Sequence, residues 1–224
     1  MKNNKLVVAI VTILTVLVLD QWLKIYVKTS FYYNEEVPIL GDWFSLLFVE
    51  NPGMAFGWEI PFLGRDSAKV ILSLFRVVAV VLIAFYLRGL IQKKLPTGLI
   101  VSIAMIFAGA LGNIIDSAFY GLIFTESTYG FQSLATQVPF GEGYTGFLTG
   151  HVVDMLRFDF FTVDLPFYGN FNFFAPIFNL ADFAISLGVG IILVFQRKTF
   201  QENFFAKEED VVVEEVSQEE QEAS

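Results

Sequence analysis

Cysteine is absent from this chain, and histidine occurs once, as His151. The first absence excludes disulfides, thiolate nucleophiles and cysteine metal sites. The second excludes a multi-histidine metal centre, including the paired-histidine helix of zinc peptidases. Charge is also scarce. Asp, Glu, Lys and Arg make up 17% of the 224 residues, against 55% hydrophobic. No stretch is basic enough to hold nucleic acid. The formal net charge of −9 does not describe the body of the protein. Gln201 to Ser224 contains nine acids and one Lys, whereas the first 200 residues carry 13 basic and 14 acidic side chains. The acidity belongs to a C-terminal tail, residues 201–224, expected to be disordered and cytoplasmic.

What is present is apolar. Phe alone supplies 26 residues, and the mean hydropathy is +0.61, too high for an ordinary soluble domain. A bilayer core needs about 20 apolar residues in helical form. Four stretches qualify, at about 6–27, 70–90, 98–120 and 176–196. The last is expected to start at Pro176, a favoured first-turn residue. The first is read as an uncleaved helix, because no small-x-small cleavage site accompanies Leu19-Asp20-Gln21-Trp22.

Basic residues orient the spans. Lys2, Lys5, Arg88, Lys93, Lys94, Arg197, Lys198 and Lys207 lie in the short connections and terminal segments, whereas Lys28, Arg65, Lys69 and Arg157 are spread over two long loops, 28–69 and 121–175. Both termini are therefore expected inside and both long loops outside. The aromatic and β-branched run Trp43–Val49 predicts short strands at headgroup level. The expected fold is an all-α membrane bundle of four transmembrane helices with a small β-rich platform from the first loop. Residues 1–200 form one transmembrane domain.

Polar side chains inside spans are costly and are functional candidates by default. Asp20 and Lys24 share one face of the first span, at i,i+4. Asn113 and Asp116 lie at i,i+3 near the end of the third. Asn179 and Asp182 lie at i,i+3 near the start of the fourth. On the expected topology all three pairs sit in the outer leaflet, where Asn51 and Asp154 can reach them. Each pair alone admits a structural explanation, as an ion pair or as interhelical glue. Three pairs in one leaflet point to a site. The small residues Ala108–Gly112 allow a neighbouring helix to approach closely.

There is no G-x-S-x-G elbow, and no Ser and Lys stand out together in the outer leaflet. Carboxylates remain. Two close carboxylates hold one proton between them. The ionised member can take a proton from water, while the protonated member polarises a carbonyl. From the residues alone, a carboxylate hydrolase and a small transport or binding subunit with buried polar pairs both stay open.

Five motifs carry a resemblance. They are Asp20-Gln21-Trp22-Leu23-Lys24, Asn51-Pro52-Gly53-Met54-Ala55-Phe56, Gly109-Ala110-Leu111-Gly112-Asn113-Ile114-Ile115-Asp116, Val152-Val153-Asp154-Met155 and Phe178-Asn179-Leu180-Ala181-Asp182. Together, and in this order, the chain resembles lipoprotein signal peptidase (signal peptidase II), a family of bacterial aspartic membrane peptidases. The resemblance covers about residues 6–196. It implies Asp154 and Asp182 as the catalytic pair. It implies substrate-binding or supporting roles for Asn51, Gly53, Ala55, Asp20, Lys24, Gly109, Gly112, Asn113, Asp116, Asn179 and Ala181. It implies a diacylglyceryl-modified prolipoprotein substrate, cut before the lipid-modified cysteine, with membrane lipids as neighbours. It further implies no cofactor, no metal, a monomer and an inner-membrane location with the site facing outward.

The chain departs from the family pattern in three places. Ala108-Gly109 stands where the family usually has Gly-Gly. Ser117 stands where an Arg usually follows the third-motif Asp; Arg76 or Arg157 is the candidate to take its place. Residues 121–150 look like an insertion, a lid or decoration, with decoration preferred.

Overall fold

The computed structural model describes residues 2–52, 65–128, 133–159, 162–165, 169–172 and 176–204. Among them, four helices are long and apolar enough to cross a membrane: Asn4–Ser30, Lys69–Gln92, Thr97–Ile123 and Leu180–Phe204. The first belongs to α1 (Lys2–Ser30), which contains neither Gly nor Pro and so has no internal breaker. The second belongs to α2 (Arg65–Gln92).

A tight link follows α2. Lys94 takes a left-handed φ of 56°, and Pro96 stands at the N-cap of α3 (Thr97–Ile115), where its missing N–H costs no bond. Lys5 donates to the carbonyls of Lys94 and Leu95 in this link. α3 then widens into a π-helical turn, Asp116–Tyr120, and closes with the single turn α4 (Gly121–Ile123).

The last span begins differently from the sequence expectation. Pro176 does not start it. Ile177–Phe178 form a short strand, and α5 (Leu180–Ile191) begins after Asn179. Asn179 wins the cap because its side-chain oxygen accepts from the Asp182 N–H at 2.9 Å, while the Asp182 carboxylate faces the Asn179 N–H at 3.5 Å, a reciprocal capping box. Beyond Ile191 the helix continues to Phe204, four residues into the stretch read as tail. Phe200 and Phe204 pack edge-on against Tyr86 there.

α3 is the central helix, packed against α1, α2 and α5. At one end of the bundle lies an apolar core cluster that includes Ala9, Leu87, Leu90, Leu99, Ile100, Ile103, Ala104 and Ile192. The outward helix faces carry exposed Leu14, Val18, Phe75, Phe85, Val194 and Phe195, as a lipid-facing surface requires.

The other end carries the sheet. Strands β1 (Glu36–Leu40) and β2 (Phe44–Asn51) form a hairpin, turned by Gly41 at φ 53°. The expected platform therefore exists, but the first loop does not build it alone. β3 (Val152–Phe158) and β6 (Ile177–Phe178) from the second loop complete an antiparallel sheet of order β1-β2-β3-β6. β4 (Thr162–Leu165) and β5 (Gly169–Asn172) form a separate hairpin. Val27, Phe31, Phe48, Tyr120, Phe124, Val153 and Met155 weld the sheet to the ends of α1 and α3.

The described part of 121–150 is not loose decoration. It folds back on itself through bonds from Thr145 N to Gly121 O and Tyr144 N to Phe124 O, and onto the π-helical turn through one from Gly150 N to Ser117 O, all between 2.9 and 3.1 Å. Phe124, within it, is buried.

Candidate active site

Lys24 anchors the polar layer. Its side chain is fully buried, and its ammonium meets Asp20 at 2.9 Å, Asp116 at 2.8 Å and the Asn113 side-chain oxygen at 2.8 Å. Three donors meet three acceptors, which is the whole capacity of an ammonium. The carboxylates are equally occupied. Asp20 also accepts from Ala181 N, an otherwise orphaned N–H in the first turn of α5, at 2.8 Å. Asp116 accepts from Gln21 Nε2 at 2.9 Å and from Val153 N at 3.3 Å. Gln21 in turn accepts from the Tyr120 hydroxyl at 3.1 Å. This ionic group joins α1, α3, α5 and β3.

An amide relay rises from it. Asn113 donates to Asp182 Oδ1 at 2.8 Å. Asn179, fully buried, donates to Asp154 Oδ1 at 2.7 Å and to Asn113 Oδ1 at 3.1 Å. Its own oxygen is spent on the helix cap, so both faces of the amide are used. Asn51 donates to Asp154 Oδ2 at 3.2 Å. Asp154 and Asp182, 28 positions apart in sequence, are thus tied together through two asparagines. Burial, followed by the nearby Asp182 charge, pushes the Asp154 carboxyl up to about 7, against the opposing pull of Asn51, Lys24 and Asn179.

The small residues set the depth of this contact. A Cβ on Gly109 would fall 2.3 Å from the Ala181 carbonyl oxygen, and one on Gly112 would fall 2.8 Å from Asp20 Oδ2. Only a glycine lets α3 come this close to α5 and to the Asp20 carboxylate. Ala181 is fully buried at the same crossing.

The structure brings together Asp20, Lys24, Asn51, Gly109, Gly112, Asn113, Asp116, Asp154, Asn179, Ala181 and Asp182. Gly53 and Ala55 lie outside the described residues. Gln21 and Tyr120 were not singled out by sequence reasoning, although an amide beside Asp20 inside a span was a visible signal for Gln21. Of the two arginine candidates, Arg157 is engaged with Glu36 at 2.9 Å and Asp159 at 3.3 Å, on the sheet. Arg76 lies on α2, inside the span Lys69–Gln92. It shares a helix face, at i+7 and i+3, with Lys69 and Ser73. Those two donate to the carbonyls of Thr149 and Leu148, the second at 3.0 Å.

Carboxylates held by neutral amides at the mouth of an ionic core are suited to acid–base work on a polar bond. The family model for signal peptidase (SPase) II matches residues 12–197. A lipoprotein signal peptidase of Porphyromonas gingivalis is 41% identical over 204 residues, covering 88% of this chain and 85% of its own length. One from Amoebophilus asiaticus is 34% identical, covering 84% of this chain and 77% of its own. A solved bacterial membrane enzyme shares the fold, with a TM-score of 0.51 and 23% identity, over 83% of this chain and 90% of its own. By the family model and the relatives alike, this chain belongs to the signal peptidase II family.

Proposed function

We propose that this protein is an aspartic endopeptidase that removes signal peptides from diacylglyceryl-modified prolipoproteins, cutting just before the lipid-modified cysteine. The reading assigns it to the bacterial cytoplasmic membrane as a monomer, with both termini inside and the site on the outer side. The charge bias of the connections supports that orientation.

Asp154 and Asp182 share one proton. The ionised carboxylate takes a proton from water as the water oxygen bonds to the scissile carbonyl carbon. The protonated carboxyl donates to the carbonyl oxygen. Collapse of the tetrahedral intermediate breaks the C–N bond, and the proton taken from water passes to the leaving amine. Such a pair titrates as a unit. Asn51 and Asn179 aim Asp154, and Asn113 aims Asp182. Arg76 supplies the positive charge that Ser117 cannot, steadying the developing oxyanion. The single observation that carries the proposal is the Asn179–Asn113 relay, which ties the two aspartates together.

The test is cleavage of a diacylglyceryl prolipoprotein by the purified chain in detergent. Wild type cuts before the modified cysteine. Asp154→Asn and Asp182→Asn, checked for folding, do not. Cleavage by either variant overturns the dyad, and no cleavage by wild type favours a transport or binding role.

A further inference from the structure

A second buried ionic cluster lies behind Asn51, and the dyad does not use it. Lys28, near the end of α1, is fully buried. Its ammonium meets the Glu50 carboxylate, and also Ser127 Oγ at 3.2 Å. Ser127 donates to the same Glu50 oxygen at 2.9 Å, and His151 Nδ1 faces the other oxygen at 3.1 Å. The rings of Tyr144 and Phe124 lie 5.2 and 5.6 Å from the ammonium, within cation–π range. The His151 N–H donates to the Tyr144 hydroxyl at 2.6 Å. Burial would raise the Glu50 carboxyl, but the His151 hydrogen bond, the Lys28 charge and Ser127 together hold it below its ordinary value.

The cluster is one residue away from the site. In the β2–β3 pairing Asn51 stands opposite Val152, Glu50 opposite Val153 and Val49 opposite Asp154. Side chains alternate across a strand. Asn51 and Asp154 therefore share one face of the sheet, and Glu50 points to the other. A slip of one residue would exchange the faces. The register shifts between Leu46 and Val49, so the pairing of Phe44–Leu46 does not dictate the pairing of Glu50–Asn51. A local device must set it. Buried ion pairs add little net stability over an apolar replacement, but they can select one arrangement among several.

We propose that Lys28, Glu50 and His151 form a register pin: positioning residues that hold Asn51 on Asp154, with Phe124, Ser127 and Tyr144 packed around the Lys28 ammonium. This rests on the reading of Asp154 as catalytic. The segment 121–150 then has a defined task, because Phe124, Ser127 and Tyr144 all come from it.

The test is a double-mutant cycle on the full chain in detergent, using the prolipoprotein cleavage assay. Glu50→Gln and Asn51→Ala are each expected to lower kcat at least about tenfold. The double variant should stay within about threefold of Asn51→Ala alone, because Glu50 acts through Asn51. Losses that multiply would overturn the pin, as would a folded Glu50→Gln enzyme with wild-type kcat. Glu50→Gln leaves Lys28 an unpaired buried charge. If it fails to fold, the cycle is repeated with Lys28→Met/Glu50→Leu, which removes both charges, and the same outcomes decide. A merely structural role would lower Tm and leave the kcat of folded enzyme intact. Asp154→Asn and Asp182→Asn are run alongside. Activity in either defeats the dyad reading, whereas inactive aspartate variants with a multiplicative cycle defeat the pin alone.

Discussion

Two polar layers meet at the sheet end of the bundle, and they differ in what holds their carboxylates. Asp20 and Asp116 are almost fully buried and pair with the Lys24 ammonium, which has no donor left over. Asp154 and Asp182 are held by the neutral amides of Asn51, Asn179 and Asn113. A carboxylate locked to a buried cation is a poor base, because its charge is already satisfied. A carboxylate held by amides keeps its orientation and can still exchange a proton. The lower layer builds a frame, and on the proposed reading the upper one does the chemistry.

The strongest attempt to break that division is on the upper layer. Asp154→Asn or Asp182→Asn should lower kcat by about a thousandfold or more while the chain still folds, read by single-turnover cleavage and by Tm. If both variants unfold instead, the upper layer is frame as well. Lys24→Met should act the other way. It strands two buried carboxylates, and losing one partner of such a group costs about 3–5 kcal/mol. Folded yield and Tm should collapse, and a stable but inactive Lys24→Met would erase the distinction. Arg76→Gln should lower kcat about tenfold, equivalent to about 1.4 kcal/mol, with Arg157→Gln near wild type. Equal losses in both would remove Arg76 from the site.

Proton linkage sharpens the same contrast. The Asp154 carboxyl is raised to about 7 in the fold. Its contribution to stability is thus full below the ordinary carboxylate value and is lost as pH rises through about 7. The Tm of Asp154→Asn relative to wild type should therefore increase between pH 5 and pH 8. A flat difference would show that Asp154 does not hold its proton in this range. The smallest expected effect is none: EDTA should leave cleavage unchanged, and inhibition reversed by a divalent cation would reject metal-independent catalysis.

The spans and the three polar pairs were legible because lipid punishes a misplaced charge, so each Asp or Asn inside an apolar run announces a partner. Asp20, Lys24, Asn113 and Asp116 were found in this way. The start of the fourth span was misplaced because Pro176 suits a first turn on local grounds. The Asn179–Asp182 box supplies two hydrogen bonds three residues later, and Ile177–Phe178 are claimed by β3. The sheet drew on both loops because β3 pairs with β2 across a separation of about 100 residues, which no local pattern encodes. The Lys28–Glu50 pair was not singled out from the sequence either. Its members lie 22 positions apart, and Lys28 counted there only as one of the sparse basic residues of the first long loop.

The Asn179 cap has one consequence for any inhibitor that occupies the dyad. The same amide closes the first turn of α5 and carries Asp154. A resistance substitution at position 179 that repelled a drug would also fray the helix and cast loose the carboxylate proposed here to be catalytic. Escape is therefore pushed outward, to residues that shape the entrance without contributing to either task.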